Sequence, residues 1–143
     1  MGPPISKYTI DELKEGLEVN IERVLTKDDI QKFASISQDF HPLHTSIKYS
    51  KESGFDNIIA HGLLLSSFSS NIIGMKLPGE KALIISQTFK YKKPVYPDTH
   101  LLIKAVLEKI DFRFSILDIS VKIMSTDQKQ IYSEGKFCVK VRK

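Results

Sequence analysis

The stretch HGLLLSSFSSNIIG, residues 61–74, decides the reading of the fold. It has helix length and is apolar on nearly every side, with Ser66, Ser67, Ser69 and Ser70 forming a face of small side chains. A helix apolar all round is a buried one, so the pattern predicts a central helix that ends at Gly74. Downstream the chain changes character. ALIISQTFKYK, HLLIKAVLEKI, ILDISVKIM and QIYSEGKFCVKVR are long segments rich in β-branched and aromatic residues. Leu117, Ile119, Val121 and Ile123 alternate with polar or smaller neighbours, which is strand periodicity. The connections PVYPDT, DFRF and STDQK are short, so the strands are expected to run antiparallel. A sheet with one apolar face needs a cover, and the apolar helix supplies it. The expectation is an α+β fold, a curved antiparallel sheet wrapped round a central apolar helix.

Upstream, LEVNIERVL at 17–25 alternates and reads as a first strand. In TKDDIQKFASIS, Thr26 can cap a helix whose first turn holds acids, with Ile30, Phe33, Ala34 and Ser37 at helical spacing. SIKYSKESGF reads as a short helix from Ser46, closed at Gly54 in the left-handed conformation.

With 143 residues, 41% hydrophobic and 27% charged, residues 1–143 are expected to form a single domain with a real core. Residues 1–8 are expected to be an unordered or vector-derived leader. Cys138 stands alone, so no intrachain disulfide can form, and a reducing compartment is expected, the cytoplasm or a mitochondrial matrix. MGPPISKYTI lacks the features of a secretory signal, and no apolar run reaches bilayer length. Net charge is +4, but the lysines are scattered, which argues against nucleic acid or a membrane as partner. A mildly positive surface suits a phosphorylated cofactor or an acidic carrier protein.

The chemistry concentrates in SQDFHPLH, residues 37–44. Pro42 restricts His41 and stiffens the segment, so Asp39 and His44 are expected at a fixed offset in a loop. Phe40 and Leu43 are expected to anchor that loop and partly desolvate its acid and base. Ala60, His61 and Gly62 open the buried helix, where backbone N–H groups lack internal partners and negative charge is favoured. Gly62 permits close approach of a ligand to that backbone, so the helix start can hold a developing oxyanion. An acid, a base and an oxyanion donor together make a site for chemistry beside a carbonyl. A metal on Asp39, His41, His44 and His61 is disfavoured because Pro42 interrupts the helix that the His41–His44 spacing would need. A serine nucleophile is disfavoured because no elbow motif surrounds the helix serines, which read as a packing face.

FASISQDFHPLHTS resembles the hydratase motif of the MaoC-like (R)-specific enoyl-CoA hydratases, in which Asp, any residue, Asn-Pro, any residue and His follow in order. GFDNIIAHGLLLSSFSSNIIGMKLPG and SQTFKYKKPVYPDT resemble the stretches that follow in that family. The resemblance implies a hot-dog fold and a homodimer whose sheets join edge to edge. It implies reversible addition of water to a trans-2-enoyl thioester, on coenzyme A or on an acyl carrier protein, to give the (R)-3-hydroxyacyl thioester. By position it implies that Asp39 and His44 are the catalytic pair, that Gly62 and the neighbouring His61 bind the thioester head, and that Ser70 lines the acyl pocket. No metal and no cofactor is expected beyond the coenzyme A or phosphopantetheine of the substrate. Three positions depart from the pattern: His41 stands for Asn, Pro97 for Gly and Ile58 for Pro. A hot-dog thioesterase, which usually places its carboxylate on the central helix, is the alternative within the fold. A non-catalytic thioester sensor or carrier-binding module is the alternative from another class.

Overall fold

The computed structural model describes residues 2–143. In chain order the elements are β1 (Glu18–Leu25), α1 (Lys27–Ser37), α2 (Pro42–Thr45), α3 (Ile47–Glu52), α4 (Gly62–Asn71), β2 (Ala82–Tyr91), β3 (Thr99–Asp111), β4 (Ile116–Ser125) and β5 (Ile131–Val141). The strands form one antiparallel sheet in the order β1-β3-β4-β5-β2. Register breaks at Ile84/Ser86, Leu107/Lys109 and Ile123/Met124 bend it, and α4 lies against its inner face. This is the hot-dog arrangement.

Strand periodicity sets the core. Leu117, Ile119, Val121 and Ile123 of β4 are all buried, as are Leu101, Ile103, Ala105 and Leu107 of β3. They meet Leu64, Leu65, Phe68, Ile72 and Ile73 from the central helical segment in one cluster. Burying each of the larger side chains contributes about 1.5–3 kcal/mol relative to exposure. Helix α1 starts where expected: the Thr26 hydroxyl accepts from the Asp29 N–H and the Asp29 carboxylate accepts from the Thr26 N–H, a reciprocal cap.

Two expectations need correction. The α-helix of the central segment stops at Asn71, and a π-helical turn, Ile72–Lys76, continues it. The Leu77 N–H donates to the Ile72 carbonyl, so Gly74 lies inside the turn and is not the stop. Second, α4 is not buried all round: Leu63 is 65% exposed, and Ser67 and Ser70 lie open as well. The strands run antiparallel as the short connections predict, but β2 and β3 are not neighbours in the sheet. β2 pairs with β5, while β3 pairs with β1 and β4. The 92–98 segment instead crosses between them, with Val95 O accepting from Ala60 N and Asp98 N donating to Leu25 O. Near the start of the chain, residues 6 and 7 pair with the segment that follows α4. Ser6 N–H donates to Met75 O, Glu80 N–H donates to Ser6 O, and Lys7 bridges to Gly79.

No helix among the described residues is long and apolar enough to cross a membrane. The free edge at β2 is apolar and uncovered, with Leu83 and Ile85 each 54% exposed.

Candidate active site

The Asp39–His44 segment is more ordered than a loop. Pro42 occupies the first position of the one-turn helix α2, where its missing N–H has no partner to lose. His41 is the cap: its Nδ1 accepts from the Leu43 N–H at 3.2 Å. An asparagine side-chain oxygen can accept in the same way, which explains physically how His41 can stand at that position. The Asp39 carboxylate accepts from the His41 N–H at 3.1 Å, which fixes the side chain relative to the cap. Phe40 does not anchor the segment. It is 56% exposed, and the anchoring is done by hydrogen bonds to the Leu43 carbonyl from Ile59 N–H and the Ser50 hydroxyl.

His44 Nδ1 lies 2.7 Å from the Ile59 carbonyl oxygen. A carbonyl only accepts, so Nδ1 carries the proton and Nε2 is left with its lone pair. Desolvation holds the His44 imidazole below its ordinary pKa. The Ile59 hydrogen bond and the Asp39 charge oppose that shift, while His61 and His41 add to it. At neutral pH His44 is therefore an unprotonated base.

His61 is 3% exposed and caps the start of α4. Its ring stacks on His44 with centroids 3.8 Å apart and planes 25° from parallel, and Phe33 packs on its other neighbourhood at 4.9 Å. Its Nε2 lies 3.0 Å from the Asp39 carbonyl oxygen, so Nε2 carries the proton. One side-chain atom from each of Asp39, His44 and His61 lies within 4.8 Å of the others. Their spacing would allow a metal ion, while the two ring nitrogens that carry protons, His44 Nδ1 and His61 Nε2, face carbonyl oxygens and are not free to ligate.

Gly62 follows at the first turn of α4. A Cβ there would meet the Tyr91 ring at 3.1 Å, so the position has little room for a side chain. The Tyr91 hydroxyl donates to Ser66, one turn further along the helix. Ser70 is not brought to the cluster. It lies eight residues beyond Gly62, about 12 Å along the axis at 1.5 Å per residue, and it is exposed. The sequence reading brought Asp39, His44, His61 and Gly62 together but missed Tyr91, Ser66, Phe33 and Ile59. Those contacts join segments distant in sequence, and no local spacing announces them.

The arrangement offers a neutral imidazole and a carboxylate directed to one place beside the N-terminal turn of a buried helix. The family model for the "MaoC like domain" matches residues 9–128. The chain is 35% identical over 88 residues to a protein of Rhodospirillum rubrum named "(R)-specific enoyl-CoA hydratase", a match covering 62% of this chain and 61% of that one. It is 29% identical over 126 residues to "3-hydroxyacyl-[acyl-carrier-protein] dehydratase, mitochondrial" of Arabidopsis thaliana, covering 87% of this chain and 75% of that one. Its fold superimposes on "R-Hydratase PhaJ1 from Pseudomonas aeruginosa in the unliganded form" with a TM-score of 0.89 at 22% identity, over 97% of this chain and 88% of that one. On that match, whose span takes in the Asp39–Gly62 cluster and most of the sheet, the chain belongs to the MaoC like domain family.

Proposed function

We propose that this protein is a hydro-lyase that adds water reversibly across the C2–C3 double bond of a trans-2-enoyl thioester to give the (R)-3-hydroxyacyl thioester. The single observation that carries this reading is the meeting of Asp39, His44 and His61 at the start of α4. The names of the relatives from Rhodospirillum and Arabidopsis support the reaction and its handedness.

Hydration of a conjugated thioester needs a base for water, a proton for C2 and a partner for the enolate-like oxygen between those steps. Asp39 accepts one hydrogen bond from the attacking water and orients it. His44 Nε2 takes the other water proton as the oxygen bonds to C3. The electron pair of the double bond moves to the thioester oxygen, where the Gly62 N–H donates to it. Collapse of the enolate returns the pair to C2, which takes the proton from the His44 imidazolium. One hydroxyl and one hydrogen are added, and both protein groups end as they began. The reverse sequence is dehydration.

The thioester handle is coenzyme A or the phosphopantetheine of a carrier protein, in keeping with the two kinds of relative. A thioesterase reading loses support because GLLLSSFSSN, the whole of α4, contains no carboxylate. The protein works as a homodimer joined through β2, whose uncovered Leu83 and Ile85 edge adjoins α4 through Tyr91. An exposed apolar edge strand is a liability unless another strand covers it.

Mixing the protein with crotonyl-CoA and following the enoyl ultraviolet absorbance tests the reading. Absorbance should fall to an equilibrium value. Failure with coenzyme A and carrier-linked enoyl thioesters of several lengths would overturn it.

A further inference from the structure

We propose that His61 is a positioning residue: its Nε2–H holds the Asp39 backbone carbonyl while its ring braces the His44 imidazole, setting the carboxylate and the base against one point. The inference rests on the hydration reading above and adds to it a residue that acts through its neighbours and not on the thioester.

Four observations converge on this role. His61 is almost wholly buried, so its ring is not free to line a substrate channel. Among the described residues its ring makes one hydrogen bond, at 3.0 Å to the carbonyl of the residue that carries the site's carboxylate. Its Nδ1 is buried too, so that nitrogen is closed to solvent. Its face lies 3.8 Å from the centre of the His44 ring, nearer than any other aromatic pair in the fold among the described residues. A single side chain at the start of α4 therefore touches both members of the acid–base pair, which come from a segment some twenty residues earlier. Helix α4 enters the core through Leu64, Leu65 and Phe68, and His61 ties Asp39 and His44 to its start. The groups that face His44 are Asp39, His41, His61 and the Ile59 carbonyl. Of these, His61 covers the ring face itself and keeps water from it.

His61→Gln and His61→Phe separate the two functions. Gln keeps a donor near the place of Nε2 and lacks the ring; Phe keeps a ring and lacks the donor. In each variant kcat should fall about tenfold to a hundredfold, the range that small misplacements of catalytic groups produce, with KM little changed. His61→Ala should lose more than either. A second readout needs no turnover: the His44 titration midpoint, followed by nuclear magnetic resonance of the ring nitrogens in the unliganded protein. It should rise toward the free-imidazole value in His61→Gln and His61→Ala, and stay low in His61→Phe. A raised KM with kcat preserved would assign His61 to the substrate and overturn the proposal, as would a His44 midpoint unmoved in both ringless variants. If the wild-type protein hydrates no enoyl thioester, the functional reading fails while the titration still decides the bracing role.

Discussion

The imidazoles of His44 and His61 lie stacked, 3.8 Å between centroids, although one residue sits just before the first turn of α4 and the other lies in the separate turn of α2. That stack places a base from one segment against the start of a buried helix from another. The stack also helps to bury the His44 ring, and burial is the main cause of its lowered pKa.

The pH dependence follows from that desolvation. In the unfolded chain the His44 imidazole has its ordinary value of 6.5, and in the folded protein it is lower. Below 6.5 the unfolded state takes up the proton first. The stability contributed by this group is thus present above 6.5 and lost as pH falls through the folded value. The acid limb of kcat/KM due to His44 should therefore have its midpoint below pH 6.5. A midpoint at or above 6.5 would show that another group governs it.

His41 is a cap, and caps accept other acceptors. His41→Asn should retain turnover within about twofold, because the amide oxygen replaces Nδ1 toward the Leu43 N–H. His41→Ala should lose the cap and about 1 kcal/mol of stability, a fall of about 2–4 °C in Tm for a domain of this size. Thermal melts and enoyl assays on both variants check this. Collapse of activity in His41→Asn with an unchanged melt would give His41 a chemical role.

Gly62 is constrained by Tyr91. A Cβ at 3.1 Å from the ring must push either the tyrosine or the first turn of α4. Gly62→Ala should lower kcat by up to about 10²-fold through displacement of the oxyanion donor, and Gly62→Val should lower it further. Restoration of room by Tyr91→Ala in the Gly62→Ala background should recover part of the loss. No effect of Gly62→Val on kcat would remove the helix start from the mechanism.

The edge of β2 gives an oligomer prediction. Sedimentation should find a dimer at micromolar concentration, and Ile85→Glu or Leu83→Glu should shift it toward monomer by placing a charge on the buried edge. A wild-type monomer would contradict the edge-to-edge assembly.

Much of this architecture can be read from local pattern. The alternation of Leu117, Ile119, Val121 and Ile123 marks the buried face of β4, and Thr26 with Asp29 marks the start of α1, because both signals lie within a few residues. The resemblance around Asp39, His44 and Gly62 locates the site. Two features are not legible in that way. Strand order is one, since a short connection such as PVYPDT does not say that β2 will leave β3 and pair with β5. The end of α4 is another, since Gly74 has the composition of a stop while the Ile72–Leu77 hydrogen bond carries the helix past it.

The central claim is that Asp39 and His44 act as one proton-transfer unit. The most direct test is the crotonyl-CoA hydration rate of Asp39→Asn and His44→Ala beside the wild type, with thermal melts to confirm folding. Each variant should lose about 10²–10⁴-fold in kcat while melting near the wild-type temperature, because Asp39 is exposed and His44 only half-buried. Either variant turning over at close to the wild-type rate would contradict the account.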